Sequence, residues 1–546
     1  MNKTITKYLF IFGLISSIYI VKEFNFIFYN STDSPDFDTY SVYFEYFFNS
    51  REFTGREQGL LYYYLNSWMY YLLNLNSEFS NNYFLLHKSV QSVNFYLFII
   101  GLTGVYKLLK LFNFQEKIIY LTLITINLLP MTVALRLVFK PEILTFAFLP
   151  WIYYCFEFYK ESKNYKYILF SVPLISSLIT SKGSIAIMLI VSLIFLYIGQ
   201  ILNFKLKIFF IIAFVFIILT VFVVQEDTMS NGLRIDQLES GASSNPEYDF
   251  KAPRNFLYKI NLYQLVSSPV KHRHASSFIG ITLLDTFGDY FDIYWDNDSS
   301  IYFKNRIEVL NFEESDLLKS PEIDFKNYKI TFYLQNLTDT YYRKVIGLIL
   351  SLIFYYLILK YIAIDKNYRR FYIVPFLALI LLLVHVIFGV PSNNFQPETG
   401  DTLKTLYYSP FLIIAFAILI SNYFQKNTLN KLKLFAYIPI FFLILGFPKS
   451  IDREIQIDIN QINNYSFFCE TNKVTILKSY IFENSDCKTG IVDSQPSLDF
   501  LNIENFNIKP KFKFSNTILA FLNFCSLVVL IFDTKLKKIF NIKNDK

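Results

Sequence analysis

Residues 184–203, SIAIMLIVSLIFLYIGQILN, contain no charged side chain, and lysines flank them at positions 182 and 205. A helix of about 20 apolar residues is long enough to cross the hydrocarbon core of a bilayer. Similar apolar stretches recur along the 546-residue chain, in which 53% of residues are hydrophobic and 17% are charged. Soluble domains carry about 25% charged residues. The sequence therefore predicts an all-α, polytopic membrane protein.

We predict about twelve transmembrane helices. The first follows the segment MNKTITK and is expected to be an uncleaved span, since no small-residue cleavage site follows it. Several of the apolar stretches are short, so tilted spans are expected. In chain order, the predicted spans cover residues 8–28, 90–109, 118–134, 142–159, 167–181, 184–203, 207–225, 344–361, 371–390, 405–422, 433–448 and 514–533.

Alternate turns between these spans are basic. Lysine and arginine concentrate on the cytoplasmic side of membrane proteins. We therefore predict that both termini are cytoplasmic and that the protein lies in a plasma or inner membrane. The net charge of +7 then arises from these turns and requires no nucleic-acid partner. The predicted cytoplasmic cations are Lys107, Lys110, Lys117, Lys160, Lys163, Lys166, Lys205, Lys207, Lys366, Arg369, Arg370, Lys426, Lys431, Lys433, Lys535, Lys537, Lys538, Lys543 and Lys546.

The predicted spans divide the chain into five parts. The first outer loop lies within the first part, at residues 29–89, and its aromatic segments suit helices that lie in the membrane interface. The parts are an N-terminal transmembrane module at 1–225, an extracytoplasmic segment at 226–343, spans eight to eleven at 344–448, a second extracytoplasmic segment at 449–513, and the last span with a basic tail at 514–546.

Three cations depart from this charge pattern on the predicted outer side. Arg136 and Lys140 lie in LRLVFKPEIL, residues 135–144, between spans three and four, and Lys182 lies in the turn after span five. One such side chain could simply extend to lipid headgroups. Three of them in consecutive outer turns indicate a shared anion instead. Phosphate fits, because Arg offers a bidentate fork and Lys a point charge.

Carboxylates accompany these cations on the same predicted face. Asp36 and Asp38 follow the first span, and Glu142 follows Lys140. A single Asp in a polar loop is usually a helix cap or a solvated side chain. A base beside an anion-binding group, however, is what group transfer from a phosphate leaving group requires. Ionisable residues are nearly absent from the span interiors, which argues against an ion-coupled transporter.

The order of these motifs resembles that of the GT-C glycosyltransferases, polytopic enzymes that use polyprenyl-phosphate sugars. The resemblance is carried by the acidic motif after span one, the turn from Arg136 to Glu142, and SLITSKGS at 177–184, and it covers roughly residues 1–225. Within that superfamily the chain is similar to bacterial relatives of protein O-mannosyltransferases and to the aminoarabinose transferase of lipid A. GDTLKTLYYSPFLI, residues 400–413, resembles the start of a late span in the same family.

The resemblance also implies residue roles. The family's D-E-x-x-Y motif matches Asp36 and Tyr40 in spacing but lacks the second acid in register, so the base is Asp36 or, as the alternative, Asp38. The first outer loop is also similar to polysaccharide-polymerising proteins with an E-x-G motif, here Glu57 and Gly59. The implied donor-phosphate ligands are Arg136, Lys140, Lys182 and Arg273, and the implied substrate-binding residues are Tyr40, Glu57, Glu142, His272, His274 and Tyr407.

These features together predict a glycosyltransferase of the cell envelope. A polyprenyl-phosphate-linked sugar would be the donor, and a hydroxyl on a glycan, lipid or protein would be the acceptor, at the extracytoplasmic face among membrane lipids. A single displacement would invert the anomeric configuration. No metal ligand is assigned, and a divalent cation stays an open alternative as cofactor. The alternative functions are a polysaccharide polymerase or ligase and, third, a lipid-linked oligosaccharide flippase.

Two further features are left with alternatives. Cys469 and Cys487 lie together in the second extracytoplasmic segment, where a disulfide and two free thiols are equally expected. Asp285, Asp289, Asp292 and Asp296 have helical spacing, which favours a hydrated face of an interfacial helix over an acceptor or divalent-ion site.

Overall fold

The computed structural model describes residues 3–28, 40, 43–48, 60–75, 82–228, 257–258, 260–267, 277–287, 329–334, 338–388, 405–426, 453–458 and 509–539. This part of the chain is mostly helical. The helices are α1 (Lys3–Phe28), α2 (Leu61–Leu75), α3 (Asn82–Leu111), α4 (Glu116–Leu128), α5 (Pro130–Leu137), α6 (Glu142–Ser162), α7 (Lys166–Ser181), α8 (Gly183–Leu202), α9 (Leu206–Thr228), α10 (Leu262–Ser267), α11 (Phe278–Phe287), α12 (Thr338–Ile364), α13 (Arg369–Phe388), α14 (Ser409–Lys426) and α15 (Phe514–Ile539).

The long apolar helices indicate a membrane-spanning protein. By length and composition, five helices of the described part could each cross a bilayer, and the bent pair α4–α5 would make a sixth. The predicted span at 433–448 lies outside the described residues. Each of the other predicted spans overlaps a described helix, with ends that differ by several residues. The number of twelve spans stays a prediction.

A proline breaks the third predicted span into two helices. Leu129 is extended, with φ −64° and ψ 136°, and Pro130 begins α5 as its first residue. Proline lacks the N–H that would continue α4 and disfavours helical backbone in the residue before it. The axes of α4 and α5 are bent by 58°. The expected continuous span 118–134 is therefore a bent pair that directs α5 along a different path.

The described turns between helices meet at two opposite ends of the bundle. At one end, the Gln425 side chain accepts a hydrogen bond from the backbone N–H of Gln115 at 3.2 Å and donates to the carbonyl of Asn113 at 3.3 Å. There the Tyr368 hydroxyl also donates to the carbonyl of Phe112 at 3.4 Å. These turns are ones predicted to be cytoplasmic, and we call this end the basic-turn end.

Neighbouring helices run between the two ends in a consistent direction. Phe98 stacks on Phe146 with ring centroids 5.2 Å apart, and Trp151 donates to the carbonyl of Ile100 at 2.9 Å. Contacts therefore progress in the same direction along both helices, so α3 and α6 are parallel. Phe158, late in α6, contacts Tyr167, early in α7, which makes α6 and α7 antiparallel. The end of α7 thus returns to the start of α6. We call this side of the bundle the Lys182 end.

Close packing of α3 against α6 depends on two glycines. A Cβ added to Gly101 would lie 2.6 Å from the ring and carbonyl oxygen of Phe146, and one at Gly104 would lie 2.9 Å from the Trp151 ring. Real Cβ atoms do not approach so closely. The glycines therefore let the helix backbones approach, as small residues do in membrane helix pairs, and bring Glu142 into its position.

The described part of the first outer loop has buried aromatic residues. Tyr62 and Tyr63 of α2 and Phe44 and Phe47 of the preceding segment are each fully buried in the main core. Aromatic residues suit a headgroup-level surface and a protein core equally, so sequence alone does not separate the two. The described part of this loop packs against the bundle at the Lys182 end, and its place in the membrane interface stays a prediction.

The all-α expectation needs one addition. β1 (Lys329–Leu334) and β2 (Arg453–Asp458) pair as a two-stranded antiparallel sheet, with Lys329 opposite Asp458 and Leu334 opposite Arg453. Each strand comes from one of the two predicted extracytoplasmic segments. The pairing shows that these segments contact each other.

Candidate functional site

Lys182 is the centre of a buried polar cluster at its end of the bundle. Its ammonium donates to Glu142 Oε1 at 3.0 Å, to the Tyr407 hydroxyl at 2.9 Å and to the Tyr40 hydroxyl at 3.4 Å. It also lies 4.1 Å from the centroid of the Tyr407 ring. Four residues separated by up to 367 positions in the sequence, 40 to 407, are thus brought together around one charge.

Helix geometry explains why Lys182 and Glu142 meet. Glu142 is the first residue of α6, where the helix N-terminus favours a carboxylate. Lys182 is the single extended residue between α7 and α8, with φ −163° and ψ 134°. Because α6 and α7 are antiparallel neighbours, the start of one and the end of the other lie side by side.

Electrostatics keep the Lys182 ammonium charged. Burial opposes the ammonium of Lys182, but the Glu142 carboxylate and the hydroxyls of Tyr40 and Tyr407 outweigh it and raise the pKa of Lys182 well above its ordinary value. The side chains of Lys182 and Glu142 are 13% and 1% exposed. The cation is therefore held permanently at this position at physiological pH.

Glu142 has an unused oxygen. Its Oε1 receives Lys182, whereas Oε2 is buried and has no hydrogen-bond partner within the described ranges. Leaving a buried carboxylate oxygen unpaired costs about 1–3 kcal/mol or more. Orphaned groups of this kind in native proteins often face a ligand. Glu142 can therefore accept one further hydrogen bond.

Aromatic rings close the cluster on the side of the first outer loop. Tyr40 stacks on Tyr63 with ring centroids 6.1 Å apart, and the ammonium of Lys140 lies 5.2 Å from the Tyr40 ring centroid. Lys140 is fully buried. Both predicted lysines thus contact the same tyrosine, one at its hydroxyl and the other at its ring.

The turn that carries Lys140 is held by Asn94, which is not among the predicted site residues. The Asn94 amide donates to the carbonyls of Arg136 and Val138 at 2.9 and 3.0 Å and accepts from the Tyr62 hydroxyl at 2.8 Å. A mid-helix asparagine within an apolar stretch was the available signal, because buried polar side chains are hydrogen-bonded. Asn94 fixes the turn between α5 and α6.

Arg136 has a different position from the one expected. Its guanidinium donates to the Asn127 carbonyl at 2.6 Å, to the Asn127 side-chain oxygen at 2.9 Å and to the Thr132 carbonyl at 3.1 Å. It also lies 4.3 Å from the Phe98 ring centroid. One of these bonds satisfies the Asn127 carbonyl, which lies just before the break at Pro130. Arg136 stabilises the bent pair and is not among the contacts of Lys182.

The remaining predicted site residues lie outside the described residues. They are Asp36, Asp38, Glu57, Arg273, His272 and His274. Their predicted roles as base, phosphate ligand and substrate contacts stay predictions, as does the disulfide between Cys469 and Cys487. Among the residues with described positions, no group of three His, Cys, Asp or Glu side chains could hold a metal ion.

Asp285 also differs from expectation, because it is 2% exposed and not hydrated. Its neighbour Thr286 contacts the Tyr355 hydroxyl at 2.9 Å, and that hydroxyl contacts the hydroxyl of Tyr408 at 3.3 Å. Tyr408 follows Tyr407 of the Lys182 cluster directly. A small pocket there is lined by Met131, Asp285, Thr286, Leu406, Tyr408, Ser409 and Leu412.

The cluster provides the groups needed to bind an anion. The Tyr407 hydroxyl accepts a hydrogen bond from Lys182, so its own O–H can donate. Lys140 adds a second positive charge, and Glu142 adds one negative charge with a free oxygen. Preorganised donors of this kind stabilise charge that develops on a leaving group.

No protein-family model, curated protein or solved structure matches this chain.

Proposed function

We propose that the protein is a membrane glycosyltransferase of the GT-C type, which moves a sugar from a polyprenyl-phosphate donor to an acceptor hydroxyl on the extracytoplasmic face. One observation supports the proposal above the others. Four residues selected from the sequence, namely Tyr40, Glu142, Lys182 and Tyr407, form one buried contact group at a single end of the bundle. The sequence resemblance supplies the chemistry, and the contacts supply the geometry.

In the proposed reaction, the phosphate of the donor binds beside Lys182. The hydroxyl of Tyr407 donates to a phosphate oxygen, and Lys140 contributes charge through its position on the Tyr40 ring. Arg136 is omitted from this phosphate group, since its guanidinium is bonded to Asn127 and Thr132. The phosphate-binding group is therefore built from lysine and tyrosine.

Asp36 is the proposed base, with Asp38 as the alternative, and Asp36 precedes Tyr40 by four positions in the chain. The base removes the proton of the acceptor hydroxyl, and that oxygen bonds to the anomeric carbon. The bond between the anomeric carbon and the phosphate oxygen breaks, and polyprenyl phosphate leaves with the electron pair. The leaving group needs no proton, and the single displacement inverts the configuration. Glu142 Oε2 accepts a hydrogen bond from a sugar hydroxyl.

A transfer assay tests this proposal. Purified protein in lipid nanodiscs is incubated with a panel of radiolabelled polyprenyl-phosphate sugars and cell-envelope extracts as acceptor. We expect Lys182→Met to abolish transfer. Lys166→Met, an identical change at an exposed residue at the other end of α7, should leave transfer unchanged. Equal transfer by both variants, or no transfer from any donor by the wild type, would contradict the proposal.

A polysaccharide polymerase or ligase is the second candidate, and a specific observation favours it over a flippase. Such enzymes handle two lipid-linked chains and need a phosphate-binding group for each. A second set of cations lies at residues 509–513, and α15, which begins directly after them, hydrogen-bonds α2 near the Lys182 cluster.

A further inference from the structure

Three lysines converge at the start of the last helix. In KPKFKF, residues 509–514, lysine and apolar residues alternate. The ammonium of Lys509 lies 5.5 Å from the Trp68 ring centroid, and those of Lys511 and Lys513 lie 5.3 and 4.6 Å from the Tyr46 ring centroid. We call these three lysines with the two rings the lysine ridge. The alternation places the cations together, as on one side of an extended strand.

The ridge is fastened to the first outer loop. The backbone N–H of Lys511 donates to the carbonyl of Phe47 at 2.7 Å, and the Lys513 ammonium donates to the Tyr46 hydroxyl. Within the described residues, none of the three lysines forms an ion pair with a carboxylate. Burial and the nearby charge of Lys513 lower the pKa of Lys511. The like charges are held close together, and an anion would relieve their repulsion.

A buried amide adds independent support for a ligand at this position. Asn516 lies in the first turn of α15, three residues after Lys513, and is fully buried. Neither its amide nitrogen nor its oxygen has a hydrogen-bond partner among the residues described. The start of a helix also presents unpaired N–H groups and a partial positive charge. Three lysines, an amide without a partner among the residues described, and a helix start thus lie within a few residues of one another.

The ridge lies at the same end of the bundle as Lys182. In α2, Tyr63 stacks on Tyr40 of the Lys182 cluster, and the next residue, Tyr64, hydrogen-bonds Thr517 of α15 at 2.6 Å. At the opposite end, the Lys107 ammonium donates to the carbonyl of Ile531, late in α15. The start of α15 therefore faces the same side as the Lys182 cluster, and α2 connects the two.

The side chains next to the ridge suit a lipid environment. Phe512 and Phe514 alternate with the lysines and are 62% and 54% exposed. An apolar stretch that could cross the membrane begins at Phe514. Cations with exposed aromatic rings at the start of a span lie where lipid phosphates lie.

We propose that the lysine ridge binds the phosphate of a second lipid-linked substrate, the acceptor, next to the donor site. The role of the bound lipid as acceptor rests on the proposed function. The binding of a lipid-linked phosphate rests on the ridge itself. The acceptor would then be a membrane-embedded polyprenyl-phosphate or diphosphate glycan, as in a polymerase or ligase, instead of a soluble hydroxyl compound.

The test measures binding stoichiometry with full-length protein in neutral phosphatidylcholine nanodiscs. The probe is a polyprenyl diphosphate without a sugar, so the result does not depend on catalysis. We expect two molecules to bind each wild-type chain. The triple substitution Lys509→Gln, Lys511→Gln and Lys513→Gln should lose one of them. Removal of three lysines near a lipid surface should weaken the affinity of this site for the probe roughly a hundredfold.

Matched variants separate this inference from the proposed function. The control changes three exposed lysines at the basic-turn end to glutamine, namely Lys166, Lys205 and Lys207, and should still bind two molecules. Lys182→Met should lose the other molecule and keep the one on the ridge. If only the triple ridge variant loses a molecule, the ridge is upheld and the donor site is wrong. The single change Lys509→Gln, at an exposed residue, provides a mild variant that should weaken the same site.

Four outcomes would overturn the inference. The first is a single bound molecule in the wild type that the ridge variant keeps and Lys182→Met loses, and the second is equal binding by the ridge variant and the wild type. The third is full displacement of the ridge-bound probe by phosphatidylglycerol at equal concentration, which would show an anionic-lipid surface without preference for a substrate. Inorganic pyrophosphate provides the last comparison. Equally strong binding of inorganic pyrophosphate to the ridge would show a soluble anion site instead.

Discussion

Removing Lys182 should expose the cost of an unpaired carboxylate at Glu142. The ammonium and Oε1 are 3.0 Å apart. At an effective dielectric constant of about 20, Coulomb attraction at that distance is about 5 kcal/mol. Breaking a buried pair by deleting one partner typically costs about 3–5 kcal/mol. We therefore expect Lys182→Met to lower the free energy of unfolding by about 3–5 kcal/mol.

A double-mutant cycle distinguishes the pair from general packing. Glu142→Leu combined with Lys182→Met removes both charges, so the double variant should be more stable than Lys182→Met alone, with a coupling energy of about 2–3 kcal/mol. Thermal unfolding in detergent gives the order of Tm values. Lys166→Met serves as the control and should change stability by less than about 0.5 kcal/mol.

Additive losses across the cycle would refute this reasoning. So would a Lys182→Met variant as stable as the wild type, because the carboxylate would then have another partner or lie in water. If both single variants lose stability and the double variant does not recover it, side-chain packing and not charge stabilises this part of the bundle.

Three further predictions concern the same architecture. Arg136→Lys should lower the free energy of unfolding by about 2–4 kcal/mol, because lysine cannot reproduce the planar fork on Asn127. The folded fraction of this variant should bind polyprenyl phosphate in nanodiscs with unchanged affinity. Gly101→Ala should cost about 1–3 kcal/mol by overpacking α3 against α6, whereas Gly199→Ala, with no atom within 4 Å of the added Cβ, should be neutral or stabilising in thermal unfolding. Because the pKa of Lys182 is raised in the folded state, its contribution to stability is fully present below the unfolded-state pKa of about 10.4 and lost only above it. The Tm difference between wild type and Lys182→Met should therefore stay constant from about pH 7 to about pH 10. A decline within that range would contradict the raised pKa.

The sequence predicted the helices and the cation cluster for identifiable reasons. Apolar stretches of span length located the helices. The alternation of basic turns predicted which turns lie at the same end of the bundle, and Gln115 and Gln425, from two such turns, are hydrogen-bonded to each other. Lys182 was selected because a cation is unfavourable in a short outer turn without an anion. In the structure its anionic partner is Glu142, and the predicted contact with a donor phosphate stays a prediction.

Other features depended on three-dimensional contacts that no local pattern contains. Arg136 looked equivalent to Lys140, but its guanidinium donates to the Asn127 carbonyl, which lies just before the break at Pro130. The aromatic residues of the first outer loop suited a membrane surface, and their burial follows from the cap they form over the bundle. The role of Asn94 depends on a turn more than forty residues later. Local periodicity locates an element but does not select its partner.

An experimental structure with bound polyprenyl phosphate tests the central claim most directly. We expect a phosphate oxygen within about 2.7–3.2 Å of the Lys182 ammonium or the Tyr407 hydroxyl, with Glu142 Oε2 turned toward the position of the sugar. A phosphate bound elsewhere on the protein, with the Lys182–Glu142 pair unchanged and closed to the lipid, would contradict the proposed function.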